Sequence, residues 1–536
     1  MKFSTKYIAA CAALASMSLV ACNDLDTEPN GYSNRVSTDQ KQEAVESNPE
    51  LASAGVVGIS STINQFSSVY SDNHCDYGWP SLMLFLDSNG PDLLSYNTGY
   101  NWYATAGTYN LGNTNNYECN LSWYYCYKMI KSANDVISNI DAETTNPQLQ
   151  LFASQGYANR AFAYFTLIQL FQYTYKGNET KPGVPILTPE NAVEAATEGC
   201  PRGTVQETYD QILSDLNTAI NMLENSGLGV DQIAAVGTRR FVSLGAAYAL
   251  RARVNLVMNN WADAASDAQQ AIAKSGATPL SIQEASQPGF NDSDAHNWLW
   301  GIYIQEVDRV VTTGICNFGS HMGPFSYGYA QVGAWRLINK SLFNSIPDTD
   351  CRKGWFLDAN KESNNLSAAQ KSYAATYGMP AYGQVKFAPY QGTLNTSTNA
   401  VDYPLIRIEE MYYIQAEATA MGGNVASGKS ILESFVKTYR NPAYQCVASN
   451  AAELQEECWN QRRVEFFGEG MSYFDLLRLN KPLDRRGGGY PSEWVYNIPA
   501  PLKPLLIPNN EIEGNAAIGP EDNNDTWSQP NPVDDL

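Results

Sequence analysis

Histidine is almost missing from this chain: His74, His296 and His321 are the only three, and no HExxH-like pair exists among them. A zinc site is therefore unsupported. Basic residues are also scarce, 34 Lys and Arg against 55 Asp and Glu, a formal charge of -21. Nucleic-acid binding depends on cationic neutralisation of phosphates, so it is excluded as a main role. Ten cysteines are present, but no CxxC pair. Cys119 and Cys126 are seven apart in "ECNLSWYYCYKMI"; in a helix their Cα atoms stand about 10 Å apart, beyond disulfide reach. Most of the cysteines read as small buried hydrophobes, with one or two bridges left open if the compartment is oxidising. Long apolar runs are lacking too. The stretch Tyr7 to Ala21 is uncharged and rich in Ala and Leu, but too short to span a bilayer, which takes about 20 residues.

That short stretch follows Lys2 and Lys6 and ends in Leu19-Val20-Ala21-Cys22. A positive start, an apolar centre and small residues before a cysteine have the form of a bacterial lipoprotein signal. Residues 1–21 are then a signal peptide, Cys22 is the acylated first residue, and 22–40, with Asp24, Asp26 and Glu28, is an acidic tether. Loss of Lys2 and Lys6 makes the mature chain more acidic still.

What is abundant is aromatic and helical. Aromatics make up 12% and hydrophobic residues 44%, enough for a large core. "ASQGYANRAFAYFTLIQLFQYTY" (153–175) is apolar nearly all round, the mark of a helix buried on most faces. "TVQETYDQILSDLNTAINMLE" is amphipathic, with Thr204 and Glu207 placed as a capping box. Next, Phe241, Leu244, Gly245 and Tyr248 keep a tetratricopeptide spacing, and Ala264, Ala268 and Ala271 line a second helix after the Asn259-Asn260 turn. Residues 406–440 repeat the hairpin pattern. Between the hairpins, residues 276–400 are rich in Gly, Ser, Asn and aromatics, with short strand-like pieces such as "NWLWGIYIQ". "GNVASGKS" (423–430) satisfies the P-loop pattern, but it follows a predicted helix where a P-loop needs a buried strand, so it reads as a hairpin turn with Lys429 in solvent.

"NQRRVEFFGEGMSYFDLLRLNKPLDR" (460–485) carries Arg462, Arg463, Glu465, Glu469, Gly470, Phe474, Asp475 and Arg478 in an order that resembles the SusD/RagB family. "DYPLIRIEEMYYIQAEA" (402–418), "GYANRAFAYFTLIQLFQYTY" (156–175) and "LLIPNNEIEGN" (505–515) resemble it as well, in family order. The Arg and Glu spacing at 462–478 fits ion pairs within and between helices better than an acid/base set. The resemblance implies a mostly α fold: a tetratricopeptide-like helical-repeat scaffold with long aromatic-rich loops and few short strands. Residues 41–536 would form one domain, with hairpins near 204–274 and 405–440. It also implies a lipid-anchored, surface-exposed outer-membrane protein that is not an enzyme and needs no cofactor. Such a protein binds an oligosaccharide or polysaccharide and presents it to a TonB-dependent outer-membrane transporter. Peptide or other nutrient binding by the same fold is the alternative, and a surface glycoside hydrolase, which would need paired carboxylates, is the third reading.

Binding residues are expected on loops of a rigid scaffold. Two loops qualify. Residues 76–110 supply Trp79, Asp87, Tyr96, Tyr100, Trp102 and Tyr103, and residues 315–335 supply Phe318 and Tyr327. Flat rings suit the C–H faces of sugars, and Asn and Asp suit their hydroxyls. In "SYNTGYNWYATAG" turn residues flank the rings, so Tyr100, Trp102 and Tyr103, helped by Tyr96 and Tyr327, are predicted to form an exposed platform; for Trp79, beside apolar runs, core packing is an equal reading.

Overall fold

The computed structural model describes residues 38–66, 73–96 and 98–536. The signal stretch, Cys22 and most of the tether lie outside these residues. The scaffold is a succession of packed helices in which each element buries its apolar face on the next. Glu50–Thr62 packs on Tyr117–Ser138, which packs on Pro147–Phe171; that helix packs on Val205–Ser226, then Leu244–Met258, then Trp261–Ser275. Pro147–Phe171 is buried over nearly its whole length, as its all-round apolar sequence requires. The Thr204 hydroxyl and the Glu207 side chain form the reciprocal capping box that opens Val205–Ser226.

The two tetratricopeptide-like hairpins are neighbours. Trp261–Ser275, the last helix of the first, packs on Ile408–Met421, the first helix of the second, which packs in turn on Val425–Tyr439. Each hairpin closes over a glycine. A Cβ on Gly245 would sit 2.6 Å from the Ser275 Cβ, and one on Gly428 2.5 Å from the Ala416 carbonyl oxygen. Only glycine lets these helix pairs approach so closely.

The segment between the hairpins is therefore an excursion from a continuous stack. The chain leaves after Ser275 and comes back through Tyr403–Arg407, which pairs antiparallel with Trp298–Ile302 (Trp298 opposite Arg407, Ile302 opposite Tyr403) and runs directly into Ile408–Met421. The other described strands are equally short antiparallel pairs, among them Leu93–Leu94 with Leu337–Ile338. A mostly helical scaffold with few short strands is what the sequence predicted. All eight cysteines in the described residues are free thiols, Cys119 and Cys126 sharing one helix, so the bridges left open by composition are not formed there. Among the described residues no helix is long and apolar enough to cross a membrane.

The P-loop pattern is the turn of the second hairpin. It follows the helix Ile408–Met421, Gly423 takes φ +102°, and the Asn424 side chain caps Val425–Tyr439. Lys429 departs from expectation in one respect: it is half-buried and donates to the Ala448 carbonyl at 3.2 Å. With its ammonium on a backbone oxygen and no strand to aim a phosphate loop, we expect no nucleotide affinity. Lys429→Ala should leave equilibrium dialysis against ATP unchanged at zero; ATP binding by the wild type that disappears in the variant would contradict this.

The stretch 460–485 folds into a buried ion network. Glu465 accepts from Arg440 (2.8 Å), Arg407 (3.1 Å) and Arg352 (3.3 Å). Glu469 accepts from Lys386 (2.6 Å) and Arg407 (2.9 Å), and Asp475 from Arg462 and Arg478 (2.7 Å each). Burial alone would raise the Glu465 carboxyl, but Arg440, Arg407 and Arg352 together hold it well below the usual carboxylate range. These groups are paired structurally, as the spacing implied. Arg352 and Lys386 belong to the excursion, and Asp92, which pairs with Arg463 at 2.6 Å, belongs to the amino-terminal aromatic segment. The network thus fastens both loop-bearing segments to the helical stack.

Candidate functional site

The amino-terminal aromatic loop is built as alternating inward and outward residues. Asn101 N donates to Thr98 O (3.0 Å) and Ala104 N to Asn101 O (3.1 Å), successive turns that lead into the short helix Ala104–Gly107. Asn101 and Tyr103 point inward. The Asn101 amide donates to Ser95 Oγ (3.0 Å) and the Tyr96 carbonyl (2.9 Å), and its oxygen accepts from Tyr103 N (3.1 Å) and from Arg336 Nη1 (3.0 Å). The Tyr103 hydroxyl bonds Tyr77 (2.6 Å) and Ser81 (3.0 Å), and its ring packs on Phe85. Tyr100 and Trp102, on either side of Asn101, are left outside.

Tyr96 is 39% exposed, Tyr100 54%, Trp102 36% and Tyr327 47%. One face of the Trp102 indole rests on His74, the rings 4.2 Å apart and 6° from parallel, and its edge meets Tyr329 at 6.4 Å. Tyr329 is two residues from Tyr327, so the two predicted loops meet at Trp102. Tyr327 is itself held by the loop opposite: its N donates to Thr396 O (2.9 Å), and Asn399 Nδ2 donates to its carbonyl (3.2 Å). Four exposed rings, three tyrosines and one tryptophan, thus stand on braced backbone of two loops that meet at Trp102.

Four predicted site residues are corrected by burial. Trp79 is in the core against Phe162. Phe318 is in the core edge-on to Phe387 and Tyr403. Tyr103 is fully buried as the root of the loop, and no ligand can stack on it in this conformation. Asp87 is buried under Gly470, whose N donates to it at 2.9 Å, and desolvation pushes its carboxyl up to about 8. For Tyr103 the flanking turn residues suggested exposure, but a turn still has an inside; Trp79 and Asp87 lie on the buried helix Trp79–Asn89, and Phe318 on the buried helix Phe318–Met322.

Sequence reasoning missed His74, Asn101 and Arg336. Arg336 is fully buried, lies 5.5 Å over the Tyr103 ring, and meets the loop through one hydrogen bond to a residue 235 positions away. No nearby sequence signal marks that pairing. Among the described residues no cluster of His, Cys, Asp or Glu is arranged to hold a metal ion.

Comparison with known proteins follows the same outline. Residues 49–256 match the family described as starch-binding associating with outer membrane, and residues 352–503 match the SusD family. SusD-like protein P2 of Formosa agariphila is 23% identical over 381 residues, covering 67% of this chain and 71% of that protein. A SusD-like carbohydrate binding protein from Bacteroides vulgatus superposes with a TM-score of 0.68 at 19% identity, covering 88% of this chain and 97% of that one. A laminarin binding SusD-like protein superposes at 0.59 with 18% identity, covering 89% and 99%. Residues 49–256 take in most of the first helical stack, residues 352–503 take in the later part of the excursion, the second hairpin and the ion network, and the solved relatives share the fold over most of the chain: the chain belongs to the SusD family, whose members are binding proteins and not enzymes.

Proposed function

We propose that this protein binds an oligosaccharide or polysaccharide at the surface formed by Tyr96, Tyr100, Trp102 and Tyr327, and hands it to a TonB-dependent outer-membrane transporter. The observation that carries the reading is that four exposed rings stand on loops with buried, hydrogen-bonded roots. Ordering cost is then met on folding and not on binding, which suits shallow, weak recognition of a sugar face. Carbohydrate recognition by solved proteins of the same fold supports it. In this reading residues 1–21 are removed, Cys22 is acylated, 22–40 is a leash, and 41–536 is a single binding domain held at the outer surface beside its transporter.

The test is a glycan array followed by calorimetry on the full chain purified in detergent. Binding to at least one glycan is expected; binding to peptides and to no glycan would transfer the function to the alternative nutrient. Anchoring is checked separately. Cys22→Ser removes the acylation site, and since stable anchoring of this chain would rest on its lipids, the variant should move from the membrane pellet to the soluble fraction. Unchanged partition would refute the anchor.

A further inference from the structure

A cavity of about 700 Å3 opens beside the loop that holds Tyr327. Its walls include Asp292, Tyr303, Glu306, Tyr390, Gln391 and Asp402. Asp292 precedes the strand Trp298–Ile302, Tyr303 and Glu306 follow it, Tyr390 and Gln391 open the stretch that runs on to Thr396 and Asn399, the two residues bonded to Tyr327, and Asp402 comes just after that stretch. Tyr390 lies six positions before Thr396, whose carbonyl accepts from Tyr327 N, so chain geometry keeps that part of the wall within about 25 Å of the Tyr327 backbone. A few linked sugar residues cover that distance.

The chemistry of the lining is selective. Tyr303 and Tyr390 are half-buried and present ring surface; Asp292, Glu306 and Gln391 are exposed. The Tyr390 hydroxyl donates to Glu306 at 2.8 Å and accepts from Gln391 Nε2 at 3.1 Å, which fixes its ring. The Arg240 guanidinium lies 5.6 Å over the Tyr303 ring, outside the lining. Asp402 is spent on the backbone, accepting from Ser293 N (2.8 Å) and Ile304 N (2.7 Å), and keeps the wall closed. Among the described residues no Lys, Arg or His lines the cavity, and Asp292, Glu306 and Asp402 give its lining an acidic character. Rings flanked by carboxylate acceptors take hydroxyl donors and C–H faces, and repel carboxylates and sulfates.

Resting on the glycan reading above, we infer that this cavity is a second subsite for the same ligand, filled by non-acidic sugar residues of a chain that first docks on Trp102. Binding should therefore depend on ligand length, and acidic glycans should gain nothing from length.

The experiment uses the full chain in detergent, with neutral hexaoses of glucan, mannan and xylan type, their disaccharides, and hexagalacturonate as the acidic probe. For a hexaose that the wild type binds, Tyr390→Ala should weaken affinity about tenfold, leave the disaccharide unchanged and leave the melting temperature in place. Glu306→Gln, which keeps the shape and removes the charge, should weaken the hexaose less and serves if Tyr390→Ala folds poorly; it should also narrow the preference against hexagalacturonate. If the hexaose is lost on Trp102→Ala but unaffected by Tyr390→Ala and Glu306→Gln, the subsite is overturned and the glycan reading stands. Equal loss for hexaose and disaccharide also overturns it, because the effect is then not one of length. If no neutral hexaose binds the wild type while hexagalacturonate or another glycan of the array does, the subsite is overturned and the glycan reading stands; if no glycan binds at all, both fail.

Discussion

Glu465→Ala should lower stability by about 3–5 kcal/mol, the cost of removing one partner from a buried ion pair. The side chain is fully buried, and its loss leaves Arg352, Arg407 and Arg440 in a low-dielectric interior with one carboxylate fewer among them. Glu465→Gln keeps the shape and some hydrogen bonds but not the charge, and should fall between wild type and alanine. The exposed pair Lys437–Glu433 is the contrast: as an i,i+4 contact it should be worth about 0.5 kcal/mol or less. Denaturant melts of the three variants check the order; a Glu465→Ala variant as stable as the Lys437→Ala variant would show that the network is not what fastens the excursion. The pH dependence has a definite sign. The folded-state carboxyl is held well below its unfolded range, so its stabilisation is present above the ordinary glutamate pKa and is lost as pH falls through the folded value. Acid should therefore narrow the gap between wild type and Glu465→Gln, the gap closing only on the acid side of the ordinary carboxylate range.

The ion-pairing character of that network was legible in the sequence, its pairing less so. Asp475 and Arg478 pair at i,i+3 as spacing implies, but Arg462 reaches Asp475 on the next helix, and the partners of Glu465, which are Arg352, Arg407 and Arg440, lie outside the stretch 460–485. The hairpins were legible because a helix stack repeats a local pattern: the small residues Gly245, Ala264, Ala268, Ala271 and Gly428 sit where helices touch. Their adjacency in space was not stated by the pattern, since the excursion lies between them in sequence. The loops were read less well for a physical reason. Exposure in a turn is decided by whatever covers it, and the cover for residues 98–103 comes from His321, Tyr329 and Arg336. Hence Tyr100 and Trp102 are placed outside as expected, while Tyr103, next to Trp102 in sequence, is buried.

The difference between those two neighbours gives a sharp test. Trp102→Ala should reduce glycan affinity about ten- to a hundredfold, roughly 1–3 kcal/mol, with the melting temperature unchanged. Trp102 keeps 36% of its surface in water and rests on His74, so its removal leaves a gap open to solvent and not an enclosed core cavity. Its contribution to a ligand is that of a stacked ring, on the order of 1 kcal/mol, with displaced water and neighbouring contacts added. Three such rings, Tyr100, Trp102 and Tyr327, with a few hydrogen bonds give about -4 to -8 kcal/mol, a millimolar to micromolar dissociation constant. Affinity in that range lets a carrier release its cargo, and a loss of one ring takes the weaker end below detection. Tyr103→Ala should behave in the opposite way. It deletes a buried ring and two hydrogen bonds, costing about 3–5 kcal/mol, and it weakens binding only by loosening the loop that carries Trp102. Calorimetric titration and thermal melts on the same two variants separate the roles. Destabilisation by Trp102→Ala would move that residue into the core, and undiminished binding by the same variant would move the platform to the Tyr327 side of the surface.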